Sequence, residues 1–217
     1  MKPPFVDIET ALNSFRENKF LIVMDHESRE NEGDIICAAA NITTEQMAFL
    51  IRHSSGYVCT PMSNAIADKL DLPLMSDLKC KAYDDDRYGT AYTITCDYAH
   101  GTTTGISAKD RALTCNKLAD PGVSAVDFLK PGHVVPLRAK DGGVLDRDGH
   151  TEAAVELCKL VGLPEVGVIC ELVRDEDGLM MGLDDCKEFG KKYGIEMITI
   201  PQLQAYVRER QKNNTNA

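Results

Sequence analysis

Two stretches of this chain demand burial, and the ten residues between them resist it. "FLIVM" (20–24) and "IICAAA" (35–40) are apolar runs of strand length. They flank "DHESRENEGD" (25–34), which carries Asp25, Glu27, Glu30, Glu32 and Asp34 with a single arginine, Arg29. Short continuous apolar runs rich in β-branched residues read as strands covered on both faces. The chain must therefore hold a strongly acidic connection against its own core. Glu30, Glu32 and Asp34 alternate, so in an extended segment their side chains fall on one side. Three carboxylates there repel each other unless protons or a cation relieve them, and Gly33 lets the backbone bend among them. Two readings follow. The segment is a solvated charged loop, or it is a site for a hard divalent cation held by one or two carboxylates and substrate oxygens. Arg29 in the same loop could take a phosphate.

The remaining pattern mixes strands and helices. "GYVCTP" (56–61), "YTITCDY" (92–98), "EVGVICELV" (165–173) and "IEMITI" (195–200) read as strands, and "PGHVVPLRA" (131–139) as a turn followed by a strand. Thr43 and Gln46 form a capping box ahead of Met47, Leu50 and Ile51 at helical spacing. "NAIADKLDL" (64–72) is a short helix. Ser107 caps a helix running to about Leu118. Residues 151–161 and 184–193 are helical, and Pro201 opens the last helix. "KAYDDDRYGTA" (81–91) is a polar loop, and "QKNNTNA" (211–217) a frayed polar tail. No linker, repeat or low-complexity segment divides the chain, and 217 residues with 43% apolar content suffice for one core. The expectation is a single α/β (α+β) domain over 1–217, with a mixed sheet flanked by helices.

Charge and cysteine usage narrow the function. A formal net charge of −10 argues against a nucleic-acid surface. No apolar run approaches the ~20 residues of a membrane helix. The start lacks a signal-peptide core and carries Asp7 and Glu9, unlike a presequence, so the expected compartment is the cytosol. The eight cysteines are widely spaced with no CxxC pair, which suits free thiols packed as small apolar residues.

Two further stretches can bind anions. In "RDGHTEAAVELCKL" (147–160), Arg147, His150 and Thr151 stand at a helix N-terminus, where free N–H groups favour a phosphate. His150 there can ligate a metal or move a proton, or Thr151 can be no more than a cap. In "GTTTGISAKDRALT" (101–114), glycines and threonines lead into a helix, as an oxyanion loop or as a turn with a Ser cap. Glu171 is an acid inside an apolar strand and needs a partner or a function. His133 reads equally as a turn residue and Cys59 as core.

Taken together, "DHESRENEGDIICAA", "TTTGISAKDRALT", "FLKPGHVVPLRA" and "RDGHTEAAVELCKLVGL" followed by "GVICELV" resemble the 3,4-dihydroxy-2-butanone 4-phosphate synthases. The resemblance runs from about Ala11 to Tyr206. It implies conversion of ribulose 5-phosphate to L-3,4-dihydroxy-2-butanone 4-phosphate and formate in riboflavin biosynthesis. It further implies Mg²⁺ or Mn²⁺, no organic cofactor, and a homodimer with sites near the subunit interface. In the family pattern, Glu30 and His150 match the metal ligands. Arg29 and Asp34 match substrate contacts, Arg147 and Thr151 the phosphate-binding positions, and Thr104 a threonine of the TTTG loop. Glu171 matches an acid needed for catalysis, His133 a site histidine, and Cys59 a thiol beside the site.

The chemistry fits these residue types. Making an enediol from a ketose needs a base for a carbon-bound proton and a cation for the developing oxyanion. Carboxylates with different pKa values suit the later proton transfers. Glu32 or Asp34 is expected to take the first proton and Glu171 to act later. Cys59, near a strand end, is expected to be more accessible than Cys37 or Cys170. The rivals are another metal-dependent pentose-phosphate isomerase or aldolase, and an acidic metal-binding module without activity.

Overall fold

Leu21–Met24 (β1) and Gly33–Ala38 (β2) pair antiparallel, Leu21 opposite Ile36 and Met24 opposite Gly33, and close the acidic segment into the turn between them. Every residue of both strands is buried. The computed structural model describes residues 5–77 and 88–215. Five more strands complete one sheet: Cys59–Met62 (β3), Cys96–Tyr98 (β4), Phe128–Arg138 (β5), Gly167–Glu171 (β6) and Glu196–Thr199 (β7). Their order is β4-β5-β3-β6-β2-β1-β7. β1–β7 and β3–β5 run parallel and the other neighbours antiparallel, so the sheet is mixed, as expected.

Helices Ile8–Arg16 (α1), Thr44–His53 (α2), Asn64–Lys69 (α3), Ala108–Leu118 (α4), His150–Leu160 (α5), Leu183–Tyr193 (α6) and Ile200–Thr215 (α7) cover the sheet. The period-two alternation of the strands divides the core into two layers. Ile22, Ile35 and Cys37 join Met47, Leu50, Cys115, Leu118 and Cys186 on the face covered by α2, α4 and α6. Leu21, Val23 and Ile36 join Leu12, Phe15, Leu157 and Leu203 on the face covered by α1, α5 and α7. Each fully buried Leu, Ile or Phe contributes about 1.5–3 kcal/mol, so both layers hold the acidic turn in place.

Local signals set the element ends. Thr43 accepts from the Gln46 N–H while Gln46 caps in return, and Ser107 accepts from the Asp110 N–H. Four readings need correction. β2 starts at Gly33, earlier than the apolar run, which draws Asp34 into the ladder opposite Glu171. In "YTITCDY" only Cys96–Tyr98 forms a strand; Tyr92 and Thr93 make isolated bridges to Leu137 and Leu74. α1 was not expected, although Ile8, Ala11, Leu12 and Phe15 form its buried stripe and Asp7 caps it. The helix α7 runs through Thr215 and so takes in most of the polar stretch that begins at residue 211. Cys80 and most of the 81–91 loop lie outside the described residues. Among the described residues, no helix is long and apolar enough to cross a membrane.

Candidate active site

The acidic turn is organised by Asp25, which sequence reasoning did not single out. Its Oδ1 accepts the Glu32 N–H at 2.9 Å, and its Oδ2 accepts the Glu30 N–H at 3.0 Å and Arg29 Nη1 at 2.9 Å. Asn31 takes a left-handed conformation at φ 57, which turns the chain between Glu30 and Glu32. Arg29 also donates to Glu30 Oε2 at 2.5 Å and lies over the Tyr88 ring. The loop is therefore not a solvated charge run. The backbone donors of Glu30 and Glu32 are spent on one buried carboxylate, while the side chains of Glu30, Glu32 and Asp34 line one cleft.

Those acids converge on a cleft at one end of the sheet, lined by Arg29, Glu30, Glu32, Asp34, Cys59, Arg147, His150, Thr151 and Glu171. Asp34 is 2% exposed, and its Oδ1 has no hydrogen-bond partner among the described residues. Burial, and then the charges of Glu171, Glu30 and Glu32, push its pKa well above the usual carboxylate range. Glu32 is raised for the same reasons, burial first and Glu30 and Glu171 after it. Glu171 is held from the neighbouring loop, where Ser55 Oγ donates to its Oε2 at 2.7 Å.

His150 is the first residue of α5 and is buried. Its Nε2 lies 3.0 Å from the carbonyl oxygen of Val23, which can only accept, so Nε2 carries the proton. The Nδ1 lone pair then faces Asp34 Oδ1 at 3.7 Å and Glu30 Oε2 at 4.0 Å. Burial lowers the His150 pKa against the pull of Asp25 and Glu30, and keeps the ring neutral. A nitrogen lone pair opposite carboxylate oxygens is repulsive unless a proton or cation lies between them.

A second arginine also lines the cleft. Arg147 donates from Nη1 to Glu152 Oε2 at 2.6 Å, from Nε to the Tyr88 carbonyl at 3.0 Å and from Nη2 to Thr90 Oγ1 at 3.1 Å. Glu152 is fully enclosed and also accepts the Lys140 N–H at 3.0 Å. This glutamate, which looked like an ordinary helical acid, fixes the arginine. Gly149 is the N-cap of α5 with no side-chain cap, so Thr151 is a cleft residue rather than a cap.

Three expectations fare differently. Cys59 does border the cleft, but it is 1% exposed, and burial and then Glu171 push its thiol far above the ordinary range. The expected accessibility is wrong: its strand pairs on both sides, with Val135 and Ile169. Thr104 and His133 do not line the cleft. His133 lies instead against Asp97, and Gly105, the residue after Thr104, packs beside that pair.

The donor set suits a hard cation with few protein ligands. Among the described residues, no three His, Cys, Asp or Glu side chains converge as a preformed metal cage. Glu30 and the free Nδ1 of His150, backed by the unpartnered Asp34 oxygen, offer a partial set that substrate oxygens and water would complete.

Comparison with known proteins identifies the family. A family model described as 3,4-dihydroxy-2-butanone 4-phosphate synthase matches residues 9–206. The 3,4-dihydroxy-2-butanone 4-phosphate synthase of Saccharomyces cerevisiae is 63% identical over 207 residues, covering 94% of this chain and 100% of that one. A crystal structure of the Candida albicans synthase superposes with a TM-score of 0.86 at 60% identity, over 94% of this chain and 98% of that one. A crystal structure of a 3,4-dihydroxy-2-butanone 4-phosphate synthase in complex with two magnesium ions gives 0.88 at 44% identity, over 95% and 99%. This chain belongs to the 3,4-dihydroxy-2-butanone 4-phosphate synthase family.

Proposed function

We propose that this chain converts D-ribulose 5-phosphate into L-3,4-dihydroxy-2-butanone 4-phosphate and formate, for riboflavin biosynthesis, with Mg²⁺ or Mn²⁺ and no organic cofactor. The observation that carries the reading is the lining of one cleft. Arg29, Arg147 and Thr151, which can take a phosphate, line it together with buried acids and a histidine lone pair. Arg147 and Thr151 would bind the phosphate, with the guanidinium already oriented by Glu152. Arg29, over Tyr88, would contact the same substrate.

Glu30 and His150 would hold the cation, in keeping with the two magnesium ions of the relative. When bound, it would offset the negative charge that develops on the ketose oxygens. Glu32 is the better first base. It is half-buried and its pKa is raised, so it can take the C3 proton to give the enediol. Asp34, buried among other acids, would hold a proton to deliver when water leaves. Glu171, oriented by Ser55, would serve a later transfer as C4 departs as formate.

Thr104 and His133 would reach the cleft of a second copy in a homodimer. Exposed Ile106 and Leu129, at 51% and 59%, lie near them in sequence and give such an interface apolar surface. The test is incubation with ribulose 5-phosphate and Mg²⁺, with and without EDTA. Formate released only with the cation supports the reading. An unchanged five-carbon product indicates an isomerase. Metal binding without reaction indicates a binding module.

A further inference from the structure

Outside the cleft, where β4 meets β5, the chain builds a second acid–histidine contact. Cys96 pairs with Val134, but the next residue, Asp97, pairs with Leu129. Residues 130–133, "KPGH", therefore bulge out between two consecutive partners. Bulges re-aim side chains and are common beside active sites. This one turns His133 back onto Asp97. One carboxylate oxygen accepts the backbone N–H of His133 at 2.9 Å, and the other lies 2.6 Å from its Nδ1. Asp97 is 6% exposed, whereas 42% of the His133 side chain reaches the surface.

The surrounding backbone is shaped to this pair. A Cβ at Gly132 would overlap the Cys96–Asp97 peptide, and its N–H donates to Thr95 Oγ1 at 3.0 Å. A Cβ at Gly105, whose φ is +90, would overlap the Asp97 carboxylate and approach His133 Nδ1. The Gly105 turn is itself held by Asp110, which accepts from the Gly105 N–H at 3.0 Å and from Thr103 Oγ1 at 2.7 Å. Gly105 thus lets one loop close on the carboxylate, and Gly132 lets the other close on the peptide beside it. A carboxylate that only anchored the bulge would need the backbone contact alone.

We infer that Asp97 is a positioning residue that fixes His133 in the Nδ1–H tautomer, so that Nε2 keeps its lone pair as a proton acceptor. An ionised carboxylate has no proton to give, so the 2.6 Å contact places the proton on Nδ1. The role in turnover rests on the synthase reaction proposed above; the tautomer does not.

The test pairs ring ¹⁵N spectra of the full-length protein with steady-state kinetics on ribulose 5-phosphate. In the wild type, His133 should show a protonated Nδ1 and a pyridine-type Nε2. In Asp97→Asn the carboxamide can donate to Nδ1, so the proton should move to Nε2. kcat should then fall by roughly 10²–10⁴-fold, the range for loss of a correctly held general base, with KM little changed. In a His133→Ala background, adding Asp97→Asn should lower kcat no further. An Nε2–H ring in the wild type overturns the inference, whether or not any variant folds. So does a full additional loss in the double variant. A wild type with the expected ring spectrum that releases no formate overturns the proposed reaction instead.

Discussion

Replacing Asp34 by asparagine is expected to make the protein more stable and inactive. Asp34 is 2% exposed, lacks a partner for Oδ1, and faces Glu171, Glu30 and Glu32. A buried acceptor left unsatisfied costs about 1–3 kcal/mol, and more when charged. Asparagine is nearly isosteric, removes the charge, and can turn a donor toward the His150 Nδ1 lone pair, 3.7 Å from that oxygen. A gain of about 1–3 kcal/mol is therefore expected at about pH 8. In a chain of this size, each kcal/mol moves Tm by about 2–4 °C.

The gain should depend on pH in a set direction. The folded-state pKa of Asp34 is raised, so above the ordinary value of about 3.9 the native state keeps a proton that the unfolded chain has lost. Wild-type stability from this group is then present at low pH and is lost as pH rises through the folded pKa. The Asp34→Asn variant has no titrating group there and undergoes no such loss. Its advantage should therefore grow from near zero at about pH 4 to its maximum in alkali. Thermal melts of EDTA-treated protein between about pH 4.5 and 8.5 read this directly. A variant less stable in mild alkali, or a difference that does not change with pH, refutes the reasoning.

Three further outcomes are expected. Glu30→Ala should weaken Mn²⁺ binding by at least about tenfold with little change in Tm, while His150→Ala should also lose about 1–2 kcal/mol of stability because Val23 loses its donor; equilibrium dialysis and melts separate the two effects. Arg147→Met should raise KM and destabilise the fold by about 3–5 kcal/mol by leaving Glu152 buried and unpaired, and adding Glu152→Gln should restore stability but not KM. Mild alkylation should leave Cys59 unmodified in the folded protein and label it only after denaturation, as mass spectrometry of the peptides would show.

Much of the fold was legible because it is carried by local signals. The Thr43–Gln46 capping box, the Ser107 cap and the β-branched run before Glu171 each act within a few residues. The stripe of α1 was equally present but is interleaved with polar residues near the chain start. The site was legible where residue types cluster, as in the acidic turn and around His150. Asp25, Glu152 and Asp97 were not, because their partners are set by tertiary geometry. Asp25 gathers donors from residues 29, 30 and 32, Glu152 meets Lys140 and Arg147, and Asp97 meets His133 across a bulge. Each of these acids looks ordinary in its own segment. The reverse error at Cys59 has the same origin, since a strand end says nothing about which strands flank it.

The most direct test of the proposed reaction follows one carbon. The phosphate of ribulose 5-phosphate would be anchored at Arg147 and Thr151, and the ketose oxygens near Glu30 and His150 in the same cleft. The skeleton must rearrange between those anchors, so an internal carbon should leave while C5 keeps its phosphate. With substrate labelled with ¹³C at C4, NMR should show labelled formate and an unlabelled four-carbon phosphate. Label retained in the phosphorylated product, or an intact five-carbon chain, would contradict the account.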